Sequence, residues 1–317
     1  MTDRDRVLVS CKLVWDSLPE HAAALDRMGV DVVVPEVPGQ QLSEPELLGL
    51  VADIDGILAG DDEISRTVIE AAPRLRVISK WGIGVDAIDH QAAAEHGIAV
   101  FNTPGVFADE LADYALGFLL MLARRQHEVD RAVREGSWHK VRGTSLRGRV
   151  LGIVGLGSSG RALAGRAAAL GMRVLGSDPV PPDAAWLEAS GTELVPFEGL
   201  LEVADVISLH LSLTVETRAI IDETAIRRMK RGIWFINTSR GGLVDEEALV
   251  RALVDERVGA AALDVFAEEP LAPSHPLTRL PNVILGSHNA SNTAEAVART
   301  NAAAIRNLLR GLGKEPA

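Results

Sequence analysis

"VLGIVGLGSSGRALAGRAAALGMRVLGSDP", Val150 to Pro179, is the stretch on which the fold turns. A short apolar run meets Gly155-Leu156-Gly157-Ser158-Ser159-Gly160. An alanine-rich segment follows, and a second apolar run ends on Asp178. A buried strand that passes at once into a helix needs glycines of this kind. Gly155 permits the tight turn, Gly157 lets backbone approach a pyrophosphate, and Gly160 lets helix and strand pack closely. The helix N-terminus, which begins around Ser158 and Ser159, supplies partial positive charge. Glycines at such a turn are common by themselves. Here the next strand ends on an acid about 20 residues on, where a carboxylate would accept both hydroxyls of a ribose. That acid would repel a 2′-phosphate, so the pattern favours NAD over NADP.

Outward from this stretch, apolar runs alternate with amphipathic alanine- and leucine-rich segments. "RVLVS", "GVDVVVP", "DGILAG", "RLRVISK" and "GIAVFN" read as strands in the first hundred residues. After the glycine turn come "ADVISLHL", "GIWFIN", "AALDVF" and "NVILGS". Repeated strand–helix–strand order implies parallel sheets covered on both faces by helices. Between the two series, one long helix is expected from about Phe107 to Glu135, with Asp109 and Glu110 in its first turn. A last helix is expected from about Thr293 to Leu312. The fold class expected is α/β, with two Rossmann- or flavodoxin-like doubly wound parallel-sheet domains.

A chain of 317 residues exceeds one ordinary core and fits two domains. A net charge of −12 argues against a general nucleic-acid partner, which would want a basic surface. A small anionic substrate is compatible with it, because a local positive site overrides the total. The single cysteine, Cys11, excludes an internal disulfide framework and points to a reducing compartment. No apolar run is long enough to span a bilayer, and the opening "MTDRDR" lacks a signal-peptide pattern. A cytoplasmic protein without a membrane partner is expected. No Cys/His cluster has metal-ligand spacing, so no metal is expected.

Three polar stretches fall at strand ends of the second series: "NTSRGGLVDEEAL" with Arg240, "DVFAEEP" with Glu269, and "GSHNASNT" with His288. A guanidinium is nearly impossible to neutralise and costly to bury unpaired, so Arg240 implies an anion, either a neighbour or a ligand. Ligands of open parallel sheets bind outside the carboxyl ends of the strands, which would let these three distant residues converge.

With the glycine turn and Asp178, these stretches resemble the D-isomer-specific 2-hydroxyacid dehydrogenases. "KWGIGVDAID" and "NTPGVFADELADYALGFLLMLAR" extend the resemblance over nearly the whole chain. It implies an NAD-dependent hydride transfer at C2 of a D-2-hydroxyacid or 2-oxoacid. Arg240 would grip the substrate carboxylate, His288 would act as acid and base, and Glu269 would orient His288. Gly241 and Gly242 would let backbone pass close to the cofactor. Cofactor contacts are implied at Gly155, Gly157, Ser158, Ser159, Gly160, Asp178, His210, Thr217, Thr238, Asp264 and Ala290, with Asp264 on the nicotinamide carboxamide. In the glycine loop, backbone N–H groups of Ile83 and Gly84 would hold the substrate carboxylate. Lys80 would either reach a second anionic group, as in a phosphoglycerate-like substrate, or snorkel from the surface. Lys12 is a weaker candidate of the same kind. Trp81 is expected to pack rather than to wall the substrate.

The resemblance also implies a substrate-binding domain of residues 1–102 with 291–317, an NAD-binding domain of 103–290, an active-site cleft between them and a homodimer. His21, His90, His96, His127, His139 and His275 read as solvated. The sequence departs from the family at Asn289 and Ala290, where polar Asn289 leaves substrate preference open, and at Ser159 and Ser212, both compatible with NAD binding. The regulatory C-terminal domain of some phosphoglycerate dehydrogenases is not expected. Glyoxylate, hydroxypyruvate and a phosphonate- or phosphite-type oxyanion stand as alternative substrates. A non-catalytic NAD-sensing corepressor is the alternative of another class.

Overall fold

The computed structural model describes residues 4–314. The chain divides into two units, one formed by the chain up to Val106 and from Asn292 onward, the other by Phe107–Ser291.

The first unit is a five-stranded parallel sheet of β1 (Asp5–Val9), β2 (Val30–Val33), β3 (Gly56–Ala59), β4 (Val77–Lys80) and β5 (Ala99–Phe101). Its order is β2-β1-β3-β4-β5, that of a flavodoxin-like sheet. β3 and β4 are buried at every position, as a strand covered on both faces must be. One face packs Leu8, Ile57 and Ile78 against Ile54, Ile64 and Val68. The helix Ala294–Gly311, started by Thr293 accepting from Ala296 N, returns to this sheet. Ser79 Oγ donates to Ala304 O at 2.8 Å. A Cβ at Gly311 would lie 2.2 Å from Val77 Cγ2, so only glycine lets this helix lie so close to β4.

The second unit holds seven parallel strands: β6 (Val150–Val154), β7 (Arg173–Ser177), β8 (Glu193–Leu194), β9 (Val206–Leu209), β10 (Ile233–Asn237), β11 (Val258–Leu263) and β12 (Val283–Leu285). The order β12-β11-β10-β9-β6-β7-β8 reverses direction between β6 and β9, the switch point of a Rossmann sheet. The helix Ala108–Arg124 buries Ala112, Ala115, Phe118, Leu119, Leu122 and Ala123, a stripe at helical spacing. It packs against the helix Ser158–Ala169, whose Arg166 pairs with Asp109 and Asp113 at 2.9 and 2.6 Å. Among the described residues no helix is long and apolar enough to cross a membrane.

One expectation is corrected and one element is added. The long helix is broken at Arg125, whose φ of 51° is left-handed, and a separate helix runs over Gln126–Arg134. Its cause lies further along the chain: Ala123 O, which would accept from residue 127 in a continuous helix, accepts from Thr144 N at 2.7 Å. The other is an addition, the two-residue edge strand β8, too short and too exposed to carry an apolar pattern.

Candidate active site

At the switch point, Gly155 has φ +97° and a Cβ there would come within 2.4 Å of His210 O. At Gly160 a Cβ would sit 2.0 Å from Gly155 O. Packing within the protein therefore explains both residues. Gly157 is different: it is exposed, and a Cβ there would meet nothing within 4 Å. Its hydrogen atom keeps the space before the helix N-terminus open. Asp178, one residue past β7, accepts from Leu156 N at 2.7 Å and from Val180 N at 2.8 Å, which holds the carboxylate beside the turn. The residue is still partly exposed, and each oxygen keeps a second lone pair. His210 joins the turn from β9, its ring contacting Ser208 Oγ at 3.0 Å and Ser159 Oγ at 3.2 Å. Burial pushes its imidazole down to about 4. Thr238 Oγ1, buried just past β10, has no hydrogen-bond partner among the described residues. An open helix terminus, a partly exposed acid beside the turn and an unsatisfied hydroxyl fit a dinucleotide.

Arg240, Glu269 and His288 follow β10, β11 and β12, three neighbours in the sheet. His288 Nδ1 and Glu269 Oε2 are 2.7 Å apart, and Glu269 Oε1 accepts from Phe266 N at 2.9 Å. The carboxylate is thus fixed by backbone on one side and fixes the ring on the other. His288 itself stands at φ +55°, a left-handed conformation that costs a non-glycine residue roughly 1–2 kcal/mol. Asp264 holds it there. Fully buried at the end of β11, it accepts from Asn289 N at 3.0 Å and Ala290 N at 2.8 Å, while its carbonyl accepts from His288 N at 2.7 Å. Burial and this carboxylate push the Tyr114 hydroxyl up to about 12. Asp264 therefore ties the end of β11 to the loop that carries His288.

Arg240 is fixed by its own strand end. Asn237 Nδ2 donates to Arg240 O at 2.8 Å, Ser239 Oγ donates to Leu209 O at 2.8 Å, and Arg240 Nη1 donates to Ser239 O at 3.0 Å. Gly241 also makes a close approach within the protein itself. A Cβ there would come within 1.9 Å of Phe266 C and O, so the glycine lets the Arg240 turn lie against the backbone leading to Glu269. Glu246, three residues beyond Leu243, reinforces the same junction by accepting from Ala267 N at 3.1 Å and pairing with His275 Nε2 at 3.2 Å. His275 is accordingly tethered while still partly exposed, exposed His96 has Nδ1 2.9 Å from Ala92 O, and His127 departs from the solvated reading, its Nδ1 buried without a partner among the described residues. Thr217 closes its own turn, donating to Ser212 O at 2.7 Å and accepting from Thr214 N at 2.8 Å.

In the first unit the glycine loop follows β4. Lys80 is 3% exposed, so it neither snorkels nor extends from the surface. Its ammonium donates to Trp81 O at 2.6 Å and pairs with Asp61 at 3.2 Å. Trp81 packs as expected, buried and donating through Nε1 to Asn301 Oδ1 at 2.6 Å. Lys12 donates to Gly39 O at 2.7 Å. Among the described residues no group of His, Cys, Asp and Glu could hold a metal ion.

Residues 116–290 match the model of the D-isomer specific 2-hydroxyacid dehydrogenase NAD-binding domain. The chain is 40% identical over 305 residues to a glyoxylate reductase of Thermofilum pendens, covering 94% of this chain and 90% of that protein. It is 40% identical over 301 residues to a D-3-phosphoglycerate dehydrogenase of Archaeoglobus fulgidus, covering 93% of this chain and 56% of that one. The crystal structure of an Aquifex aeolicus D-lactate dehydrogenase complexed with NAD and lactic acid superposes with a TM-score of 0.87 at 25% identity, over 98% of this chain and 96% of that one. The chain belongs to the D-isomer specific 2-hydroxyacid dehydrogenase family. It is an NAD-dependent 2-hydroxyacid dehydrogenase.

Proposed function

We propose that the protein reduces a small 2-oxoacid such as glyoxylate or hydroxypyruvate, and oxidises the matching D-2-hydroxyacid in reverse. The observation that carries the site assignment is the 2.7 Å contact between His288 Nδ1 and Glu269. With Nδ1 engaged by a carboxylate, proton exchange falls to Nε2, which donates to the forming C2 hydroxyl or withdraws its proton in the other direction. Glu269 then stabilises the imidazolium that oxidation leaves behind. Arg240 binds the substrate carboxylate and draws charge towards the C2 oxygen through its planar fork. Bound NAD supplies the hydride acceptor, and in reduced form the donor. Gly155, Gly157, Ser158, Ser159 and Gly160 receive the pyrophosphate, Asp178 the ribose, and His210, Thr217, Thr238 and Ala290 line the same strand ends. Asp264 serves by holding the loop of His288. In the first unit, the substrate-binding domain of this reading, the N–H groups of Ile83 and Gly84 receive the carboxylate.

A small substrate is favoured over a phosphorylated one because Lys80, the side chain best placed in the sequence for a second anion, is already paired with Asp61. We place the protein in the cytoplasm as a homodimer, on the strength of its single buried cysteine and its family. A screen following NADH absorbance in both directions tests the function. Turnover is expected with glyoxylate or hydroxypyruvate, exceeding that with phosphohydroxypyruvate or phosphite. NAD binding without turnover on any substrate would favour the corepressor reading.

A further inference from the structure

The glycine loop exposes two backbone N–H groups, and its geometry is set from behind. Each peptide unit of the loop has its carbonyl held by a named donor. Trp81 O accepts from Lys80 Nζ at 2.6 Å, Gly82 O from Thr103 N at 2.9 Å, and Ile83 O from Asn102 Nδ2 at 2.7 Å. Gly82 N is also taken, donating to Thr103 Oγ1 at 3.0 Å. The N–H groups of Ile83 and Gly84 have no protein partner among the described residues. Because a peptide unit is planar and trans, its N–H points opposite its C=O. A donor that pins Ile83 O therefore aims the N–H of Gly84, and one that pins Gly82 O aims that of Ile83. The turn needs Gly82 at φ +118°, a conformation that L side chains rarely adopt.

We propose that Asn102 is a positioning residue for the substrate carboxylate: its amide fixes the Ile83 carbonyl and so points the Gly84 N–H at the anion. Lys80 supports the loop two peptides earlier, at Trp81 O. Asn102 is itself anchored, because its carbonyl accepts from Asn307 Nδ2 at 2.9 Å on the last helix. Lys80 is likewise anchored, its charge balanced by Asp61. Neither side chain touches substrate in this arrangement; both act through the loop. This also gives the buried lysine a function that needs no second anion. The inference rests on the reading in which this loop receives the carboxylate, and the experiment separates the two.

The probe is oxamate, an unreactive carboxylate analogue of a 2-oxoacid, added to the NADH-bound full-length protein. In the unsubstituted protein, amide resonances of Ile83 and Gly84 are expected to shift on binding. Asn102→Ala is expected to weaken oxamate about tenfold, the scale of one lost hydrogen bond to a buried group, and to raise the KM of the 2-oxoacid alike. kcat and NADH affinity should stay within about twofold, a split that general loss of structure would not give. Asn102→Asp keeps the volume but places an acceptor against the carbonyl, and should weaken oxamate at least as much; it serves if the alanine variant folds poorly. Shifted resonances with unchanged oxamate affinity in both variants would overturn the role of Asn102 and leave the loop reading standing. Oxamate binding that moves neither resonance would remove the loop from the site, and the inference with it.

Discussion

The two units use the same edge of the same kind of sheet in opposite ways. In the second, the proposed chemistry falls to side chains: Arg240, Glu269 and His288 hang from successive strand ends, and backbone groups hold them. In the first, the proposed anion site is backbone at Ile83 and Gly84, and the side chains of Lys80 and Asn102 hold the carbonyls of its loop. A group that must change protonation has to be a side chain, since backbone amides do not titrate in the working range. A group that only has to receive an anion serves better as backbone, because it carries no counter-charge to desolvate when the site is empty.

Substitutions can break or sharpen this contrast. The largest effect is expected from His288→Ala, which should lower kcat by about 10²–10⁴ with little change in NAD affinity; near-normal turnover would take the imidazole out of the chemistry. Next comes Gly82→Ala, where a side chain must adopt φ +118° at a cost of order 1–3 kcal/mol. It should raise the KM for the 2-oxoacid about tenfold while kcat holds. If kcat falls instead and KM holds, the backbone loop is taking part in the chemistry and the division of labour fails. Asp178→Ala should weaken NAD several-fold and relax discrimination against NADP, read from the ratio of the two kcat/KM values; an unchanged ratio would put the ribose elsewhere.

The smallest effect concerns His210. Its folded-state value lies near 4 against an ordinary 6.5, so on acidification the unfolded chain takes up the proton first. Its ionisation therefore adds no pH dependence to stability well above pH 6.5, and stability is lost as pH falls from there towards 4. His210→Gln should flatten the difference between urea midpoints at pH 7 and pH 5. Identical pH slopes in the two proteins would show that the ring is solvated in the native state.

How legible each region was in the sequence follows from the same contrast. Gly155, Gly160 and Asp178 announce themselves because strand, turn and acid are contiguous in the chain. Arg240, Glu269 and His288 are visible as costly polar groups after apolar runs. Contacts between distant segments leave no local trace. Nothing near Arg125 signals a helix break, since the cause is Thr144 reaching Ala123 O from a later segment. Lys80 looks like a surface cation until Asp61 is brought to it. The left-handed backbone at His288 carries no glycine to mark it, because Asp264, 24 residues earlier, holds the turn in place. Gly241 signals close approach in the sequence, and the structure adds an approach that the sequence does not show, to the protein's own backbone at Phe266.

The return of the last helix to the first sheet bears on biosynthesis. Ser79, Trp81 and Asn102 all lean on Ala304, Asn301 and Asn307, residues translated some two hundred positions after them. During translation the second unit has all its strands before that helix emerges, whereas the opening hundred residues must wait with one side of their sheet bare. The loop after β4 is thus the last piece to be finished, once every strand of the second unit has already left the ribosome.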